Sequence, residues 1–338
     1  GSITAFPDGT VDPSEIVGVN TDLRVRPFFA QGATISMREF IVGAFNAEMG
    51  LESPDPDMLA ADGGADVVTP AGMELTGSID DIEGPPVAHP MDDSDGDGVV
   101  NEIDPALVDH VEFYLLNYFK PGLEQQTQRV QKGRRVFDSI GCAECHIPDL
   151  TIDHDRRVAD IETAYDASKS TGYFGNLFAD IEGLFSVVDD GSGFPALKQP
   201  LGGSFLVRNI FTDFKRHDLG PEFHERNFDG SVQTKFMTEA LWGVGSTPPY
   251  GHDGRSPTLQ LVIMRHGGEA DFARARFASL PEVKQRQLFS FLNSLVLFSP
   301  EDTPSTTNEM DVGNPDFPLA GHGSISLTPL FNDTSEIE

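Results

Sequence analysis

The sequence predicts a mainly α-helical fold with long irregular loops and few short strands. Segments with helical spacing of apolar residues, bounded by recognisable caps, occur towards both ends of the chain. The 34 glycines and 24 prolines among 338 residues separate these segments and place irregular structure between short helices. A hydrophobic content of 38%, with 25 phenylalanines, is enough to build a core. The length allows two domains, or one large one with appendages.

Residues 1–33 are turn-rich, with one extended piece at "LRVRPFF". The first helix is "SMREFIVGAFNAEMG", where Ser36 and Glu39 form a capping-box pattern. Phe40, Ala44 and Ala47 share one face of it, and Gly50 stops it. Residues 51–98 read as an acidic, linker-like surface excursion rich in Pro, Gly and Asp. A second helix, "PALVDHVEFYLLNYF", spaces Val108, Val111, Leu115 and Tyr118 for one buried face, with Pro121 ending it. A third, from about Glu124 to Ser139, is polar until Val136, Phe137 and Ile140. Residues 150–235 read as loop with short strands. Two helices close the core, "SPTLQLVIMRHG" and "SLPEVKQRQLFSFLNSLVLF". Ser256 and Pro257 start the former, while Ser279 and Glu282 cap the latter. Leu288, Phe291, Leu292 and Leu295 line the last helix. The organisation expected is an N-terminal helix and acidic loop region over 1–104, a helical domain over 105–300 and an extended acidic tail over 301–338.

Charge excludes some partners. Lys plus Arg number 23 against 54 Asp plus Glu, a formal charge of −31. Such a surface repels nucleic acid and anionic membranes and favours a basic protein partner; a saline habitat is a second source of acidity. No apolar run reaches the ~18 residues of a membrane span. The polar opening "GSITAFPDGTVDPSE" is not a signal peptide, and is what a mature secreted protein would show.

Both cysteines of the chain stand in "VFDSIGCAECHIPDL". Cys142, Cys145 and His146 spell C-x-x-C-H, the attachment sequence of c-type haem. One turn presents two thiols to the two porphyrin vinyl groups, and the next residue offers its imidazole to the iron. A zinc site wants four ligands, and no further cysteine exists. A thioredoxin-like pair wants a strand before it and a helix after, the reverse of what surrounds this motif. One covalent haem c is therefore expected, in a cytochrome c-like helical haem domain. Attachment of this kind occurs outside the cytoplasm, so the location expected is periplasmic or extracellular.

A second axial ligand would come from Met or His. Leu259, Val262, Ile263 and His266 fall at i, i+3, i+4 and i+7, one helical face. A histidine there can serve a buried iron, or be a core histidine satisfied by a backbone carbonyl. Met264 points about 200° away around the helix.

"FTDFKRHDLGP", "LWGVGSTPPYGHDGRSPTLQLVIMRHGGEADF" and "QRQLFSFLNSL" resemble the C-terminal half of the bacterial di-haem cytochrome c peroxidases. They are still more similar to the di-haem thiol oxidoreductases. The segment "SMREFIVGAFNAEMGLESPD" resembles one between the two haem motifs of that branch, so the likeness spans about 24–50 and 108–298. In this superfamily a PY-x-HDG loop precedes the helix carrying the sixth ligand, fourteen residues after the loop histidine in the peroxidases. Fourteen from His252 is His266, in the "HGGEA" context of the oxidoreductase branch. The resemblance thus implies a bis-histidine haem, His146 and His266, with His252, Trp242 and Tyr250 beside the porphyrin. The family's first haem module would lie upstream of residue 1, so the resemblance does not carry peroxidase activity to this chain, and no catalytic residue is assigned.

"DSDGDGVVNEID" fits a calcium loop. Asp93, Asp95 and Asp97 take positions 1, 3 and 5, the Val99 carbonyl position 7, Asn101 position 9 and Asp104 position 12. Position 12 is Asp where EF-hands have Glu, and an acidic solvated turn is the plain alternative. The ion, Ca2+, would pin this loop to the helix at Pro105.

The function expected is electron transfer through a low-spin bis-histidine haem to a redox partner protein with a basic docking face. One alternative is the C-terminal part of a di-haem peroxidase-like oxidoreductase. Another is a haem-bearing structural subunit of a conductive assembly, with self-assembly or other haem subunits as partners.

Overall fold

The computed structural model describes residues 1–152, 185–187, 198–200, 205–207 and 209–298, apart from 9, 23, 71, 72, 101, 118, 119, 124 and 228. The expected tail over 301–338, Asn101 of the aspartate loop and Tyr118 lie outside the described residues. The described residues form seven α-helices: α1 Met37–Met49, α2 Pro56–Asp62, α3 Pro105–Asn117, α4 Gln128–Ile140, α5 Leu259–Arg265, α6 Asp271–Ala278 and α7 Glu282–Leu292. The strands among them are two to four residues long and pair two by two. The described chain is mainly helical, as its patterning predicts, and no helix in it is long and apolar enough to cross a membrane.

One core gathers around α1, α2 and α3. The Ser36–Glu39 capping box opens α1, and Gly50, at φ 68°, closes it. Its buried face is Arg38, Glu39, Ile41 and Val42, not the expected Phe40–Ala44–Ala47 stripe; Ala47 is exposed. The reason is electrostatic. Arg38 turns inward to Asp55 at 2.8 Å, Asp109 at 2.8 Å and Glu112 at 2.9 Å, so a charged residue occupies a core position that pattern alone assigns to solvent. Burial pushes the Glu112 carboxyl up and Arg38 pulls it back down.

The 51–98 segment is not a surface excursion. It folds into α2 and a hairpin of Asp66–Val68 with Glu74–Thr76, and buries Met58, Ala61, Leu75, Ile82 and Val87. Its core residues are scattered through short acidic, Pro- and Gly-broken pieces, which gives no sustained periodic signal.

The second core is built on α4 and α7, with Val130, Val136, Phe137, Ile140, Phe211, Phe277, Leu288 and Phe291. Gly133 lets these two helices touch: a Cβ there would sit 1.9 Å from the Gln287 carbonyl oxygen. Phe137, Phe211 and Phe291 meet edge-on with centroids 5.4 to 5.6 Å apart, a geometry worth ~0.5–1.5 kcal/mol per pair beyond burial. The last predicted helix ends early. Leu295–Phe298 forms a strand against Lys120–Leu123, so Leu295 is buried from a strand and Pro121 sits in its partner. Pro281, not Ser279, stands at the N-cap of α7, and the Ser279 hydroxyl donates to the Arg276 carbonyl. The extra helix α6, absent from the pattern-based reading, has one fully buried anchor, Phe277.

Candidate functional site

The site begins where α4 ends. Gly141, left-handed at φ 95°, stops the helix and turns the chain into a 3-10 turn over Cys142–Glu144. The His146 amide donates to the Cys142 carbonyl at 3.0 Å, closing one turn between the first thiol and the imidazole. Both cysteines are free thiols in this turn, and burial pushes the Cys142 thiol up to about 12.

His146 is half-buried, and its Nδ1 lies 3.0 Å from the Phe211 carbonyl oxygen. A carbonyl only accepts, so Nδ1 carries the proton and Nε2 keeps its lone pair. Burial, aided by the nearby His266, pushes this imidazole down to about 4, so it is neutral at physiological pH. Phe211 is aimed by unusual backbone: Asn209, Phe211 and Phe214 have φ of 53°, 54° and 52°. Non-glycine residues adopt that region at a cost, typically where a site demands it.

On the opposite wall, α5 starts two residues later than its Ser-Pro pair suggests. Thr258 is the N-cap, accepting from the Leu261 amide, while the buried Ser256 hydroxyl accepts from Arg265 Nη1 at 2.9 Å. His266 is the C-cap residue, just outside the helix. Its Nδ1 donates to the Val262 carbonyl at 2.7 Å, leaving Nε2 free, and burial lowers its pKa. Met264 is 40% exposed.

A cavity of about 390 Å³ lies between these walls, within the ~300–1,000 Å³ of small-molecule and cofactor sites. Its lining brings together Cys142, Cys145, His146, Trp242, Tyr250, His252 and His266. His252 stacks on Phe236 with centroids 3.7 Å apart and planes 13° from parallel. Its loop is anchored to α5 by Arg265, which reaches Asp253 at 2.6 Å and covers the Phe223 ring at 4.4 Å. The single tryptophan, Trp242, has its indole Nε1 buried with no hydrogen-bond acceptor among the described residues. An orphaned donor in the wall of a largely apolar cavity fits a bound group that carries acceptors, as the propionates of haem do. The donor set fits haem in the same way. Two imidazoles have their second nitrogen tied to backbone, the arrangement that orients iron-binding histidines.

Two further residues of this cavity escape sequence reasoning. Glu239 lines it with no polar partner among the described residues, and burial alone pushes its carboxyl up to about 7. His217 also lines it, with Nε2 3.0 Å from Asp213 Oδ2 and Nδ1 2.8 Å from Glu269 Oε2. Carboxylates at both nitrogens make it an imidazolium. Asp213 chiefly, then the Cys145 sulfur and Glu269, raise it to about 11 against the opposing effect of burial. The Asp213–His217 spacing of four was the one local signal for this pair.

In the aspartate loop, Asp93 and Asp95 converge with Glu52, their ligand atoms within 4.8 Å of one another. Glu52 lies 41 residues upstream of Asp93 and was not anticipated. Asp97 instead accepts from the Val99 amide and Asp104 from the Ala106 amide; Val99 is exposed.

Residues 200–295 match the family model described as "Di-haem oxidoreductase, putative peroxidase". The match covers the C-terminal part of the chain, where the sequence itself resembles this superfamily, and carries His217, Trp242, Tyr250, His252 and His266. No curated protein and no solved structure matches the chain.

Proposed function

We propose that this chain is a c-type cytochrome of the electron-transfer kind, working outside the cytoplasm. In this reading one haem would be held covalently by Cys142 and Cys145, with His146 and His266 giving their Nε2 atoms to its iron. The observation that carries it is the matched pair of half-buried imidazoles. Both line one cavity with the two thiols, and both give Nδ1 to a backbone carbonyl, Phe211 and Val262, so that each presents Nε2. The haem would supply one-electron cycling of its iron. The protein's share is to keep both imidazoles neutral by burial, to fix their tautomers, and to exclude water with an apolar lining. With both imidazoles given to the iron, the chain would offer peroxide or oxygen no vacant place to bind, which favours electron transfer. His252, Trp242 and Tyr250 are assigned to the porphyrin's surroundings. The haem unit is assigned to residues 105–300, cytochrome c-like in its α4–α7 pairing, with 1–104 and 301–338 as appendages. The net charge of −31 favours a redox partner with a basic docking face.

The test is the exchange of His266 for Ala in the haem-loaded protein. Conversion from a low-spin to a high-spin spectrum is expected, and an unchanged low-spin spectrum rejects His266 as the ligand. The family match supports a second reading, in which the chain is the C-terminal part of a peroxidase-like oxidoreductase. Rapid reaction of the unmodified haem protein with peroxide would favour that reading over electron transfer.

For the aspartate loop, a structural Ca2+ is the proposal, held by Asp93 and Asp95 with Asp97, the Val99 carbonyl, Asn101 and Asp104, and with Glu52 as an added carboxylate. Chelation is then expected to speed proteolysis of the 88–104 segment without moving the haem spectrum. Identical digestion rates with and without chelator would remove the ion from the account.

A further inference from the structure

The segment that follows His266 is fastened to residues 217–219 through both backbone and side chain. Gly267 donates its amide to the Leu219 carbonyl at 2.9 Å, and Glu269 donates its amide to the Asp218 carbonyl at 2.9 Å. The Glu269 carboxylate returns the contact twice, accepting from the Asp218 amide at 3.0 Å and from His217 Nδ1 at 2.8 Å. His217 is in turn held from behind by Asp213 at 3.0 Å. The turn closes only because Gly268 is left-handed, at φ 51°. A Cβ there would lie 2.2 Å from the Asp218 carbonyl oxygen. His266 closes α5 as its C-cap, with its amide donating to the Ile263 carbonyl at 3.2 Å, and the chain leaves the helix after it. What holds the chain on that far side is this clasp between "RHDLG", 216–220, and "HGGEA", 266–270.

We propose that Asp213, His217 and Glu269 form a latch that holds His266 in place, so that its integrity decides whether the sixth position of the iron is closed. They are positioning residues, since each acts through His266. The inference rests on the bis-histidine reading above. The physical argument is one of alternatives. An imidazole that can leave its metal needs its backbone to move, and here that movement must break charge-assisted hydrogen bonds, the strong class. Weakening the latch leaves the ligand set and the cavity intact but lowers the cost of swinging His266 away. The same chain can therefore hold a closed, electron-transferring haem or an opened, reactive one, according to the state of a contact at the cavity's edge.

The experiment compares the haem-loaded protein with its Glu269→Gln, His217→Gln and His266→Ala variants, well below their unfolding temperatures and with matching far-UV circular dichroism. The readouts are the ferric spin state and the rate of carbon monoxide binding to the ferrous form. Glu269→Gln is near-isosteric at a side chain 46% exposed, so it decides the matter even if His217→Gln does not fold. The expectation is a high-spin fraction in both latch variants and carbon monoxide binding roughly ten- to a hundredfold faster than in the unmodified protein, the worth of one charge-assisted hydrogen bond. Spectra and rates equal to the unmodified protein in both variants, beside a high-spin His266→Ala, would overturn the latch and leave the ligand assignment standing. A low-spin His266→Ala would overturn the ligand assignment, and the latch with it.

Discussion

Glu239 is the residue whose environment and chemistry conflict most. It is exposed by surface area, because the cavity opens beside it, yet protein crowds its carboxyl on most sides. The crowding governs its titration, since a group filling the cavity removes the exposure. Burial holds the pKa at about 7, above the ordinary carboxylate value of about 4.3. Between those values the folded chain binds the proton that the unfolded chain has released. Stability therefore falls as pH rises through that window and stays lower above it. Glu239→Gln should flatten this decline, so the thermal midpoints of variant and unmodified protein should separate between about pH 4.3 and pH 7 and keep that gap above it. Parallel curves from pH 4 to 9 would show that the carboxyl is solvated. In the haem-loaded protein the same ionisation places a negative charge in the haem's surroundings. The midpoint potential should then fall as pH passes 7, and fall less in the variant.

At the scale of elements, the crossing of α4 and α7 carries the haem motif and is the least tolerant contact. Gly133→Ala would bring a methyl within 1.9 Å of the Gln287 carbonyl oxygen and 2.7 Å of Phe291 Cβ, both on α7. Neither belongs to a flexible tip, so the helices must separate. A loss of about 1–3 kcal/mol is expected from denaturant titration, the usual cost of overpacking. An unchanged midpoint would mean the crossing is looser than its geometry. Legibility also divides by element. C-x-x-C-H is contiguous, so Cys142, Cys145 and His146 stand together in the sequence as they do along one cavity wall. The Ser36–Glu39 box was equally local. Helix α6 was not, because "DFARARFA" buries only Phe277 and shows no stripe. The strand at 295–298 was hidden because "LVLF" continues the apolar pattern of the helix before it. His217 and Glu52 had to be seen in space, since their carboxylate partners Glu269 and Asp93 lie 52 and 41 residues away.

Across the whole molecule the charge is unevenly divided. Helices α4, α6 and α7 carry Arg129, Lys132, Arg134, Arg135, Arg274, Arg276, Lys284 and Arg286 against Asp138, Asp271 and Glu282. Eight cations less three anions give +5 there, in a chain whose total is −31, so the remaining residues hold −31 − 5 = −36. Self-repulsion is therefore concentrated away from the helices that frame the haem. Salt screens such repulsion as the Debye length shrinks from ~30 Å at 0.01 M to ~10 Å at 0.1 M. Added sodium chloride should accordingly raise the thermal midpoint of the chain. The gain should be larger when unfolding is followed by far-UV circular dichroism, which sees every helix, than by the haem absorption band, which sees the surroundings of α4–α7. An equal rise by both probes would mean that the two regions unfold as one cooperative unit, and a midpoint that falls with salt would mean that the cationic helices are already neutralised by acidic residues elsewhere in the chain. A basic partner would in that case have no separate anionic face to meet.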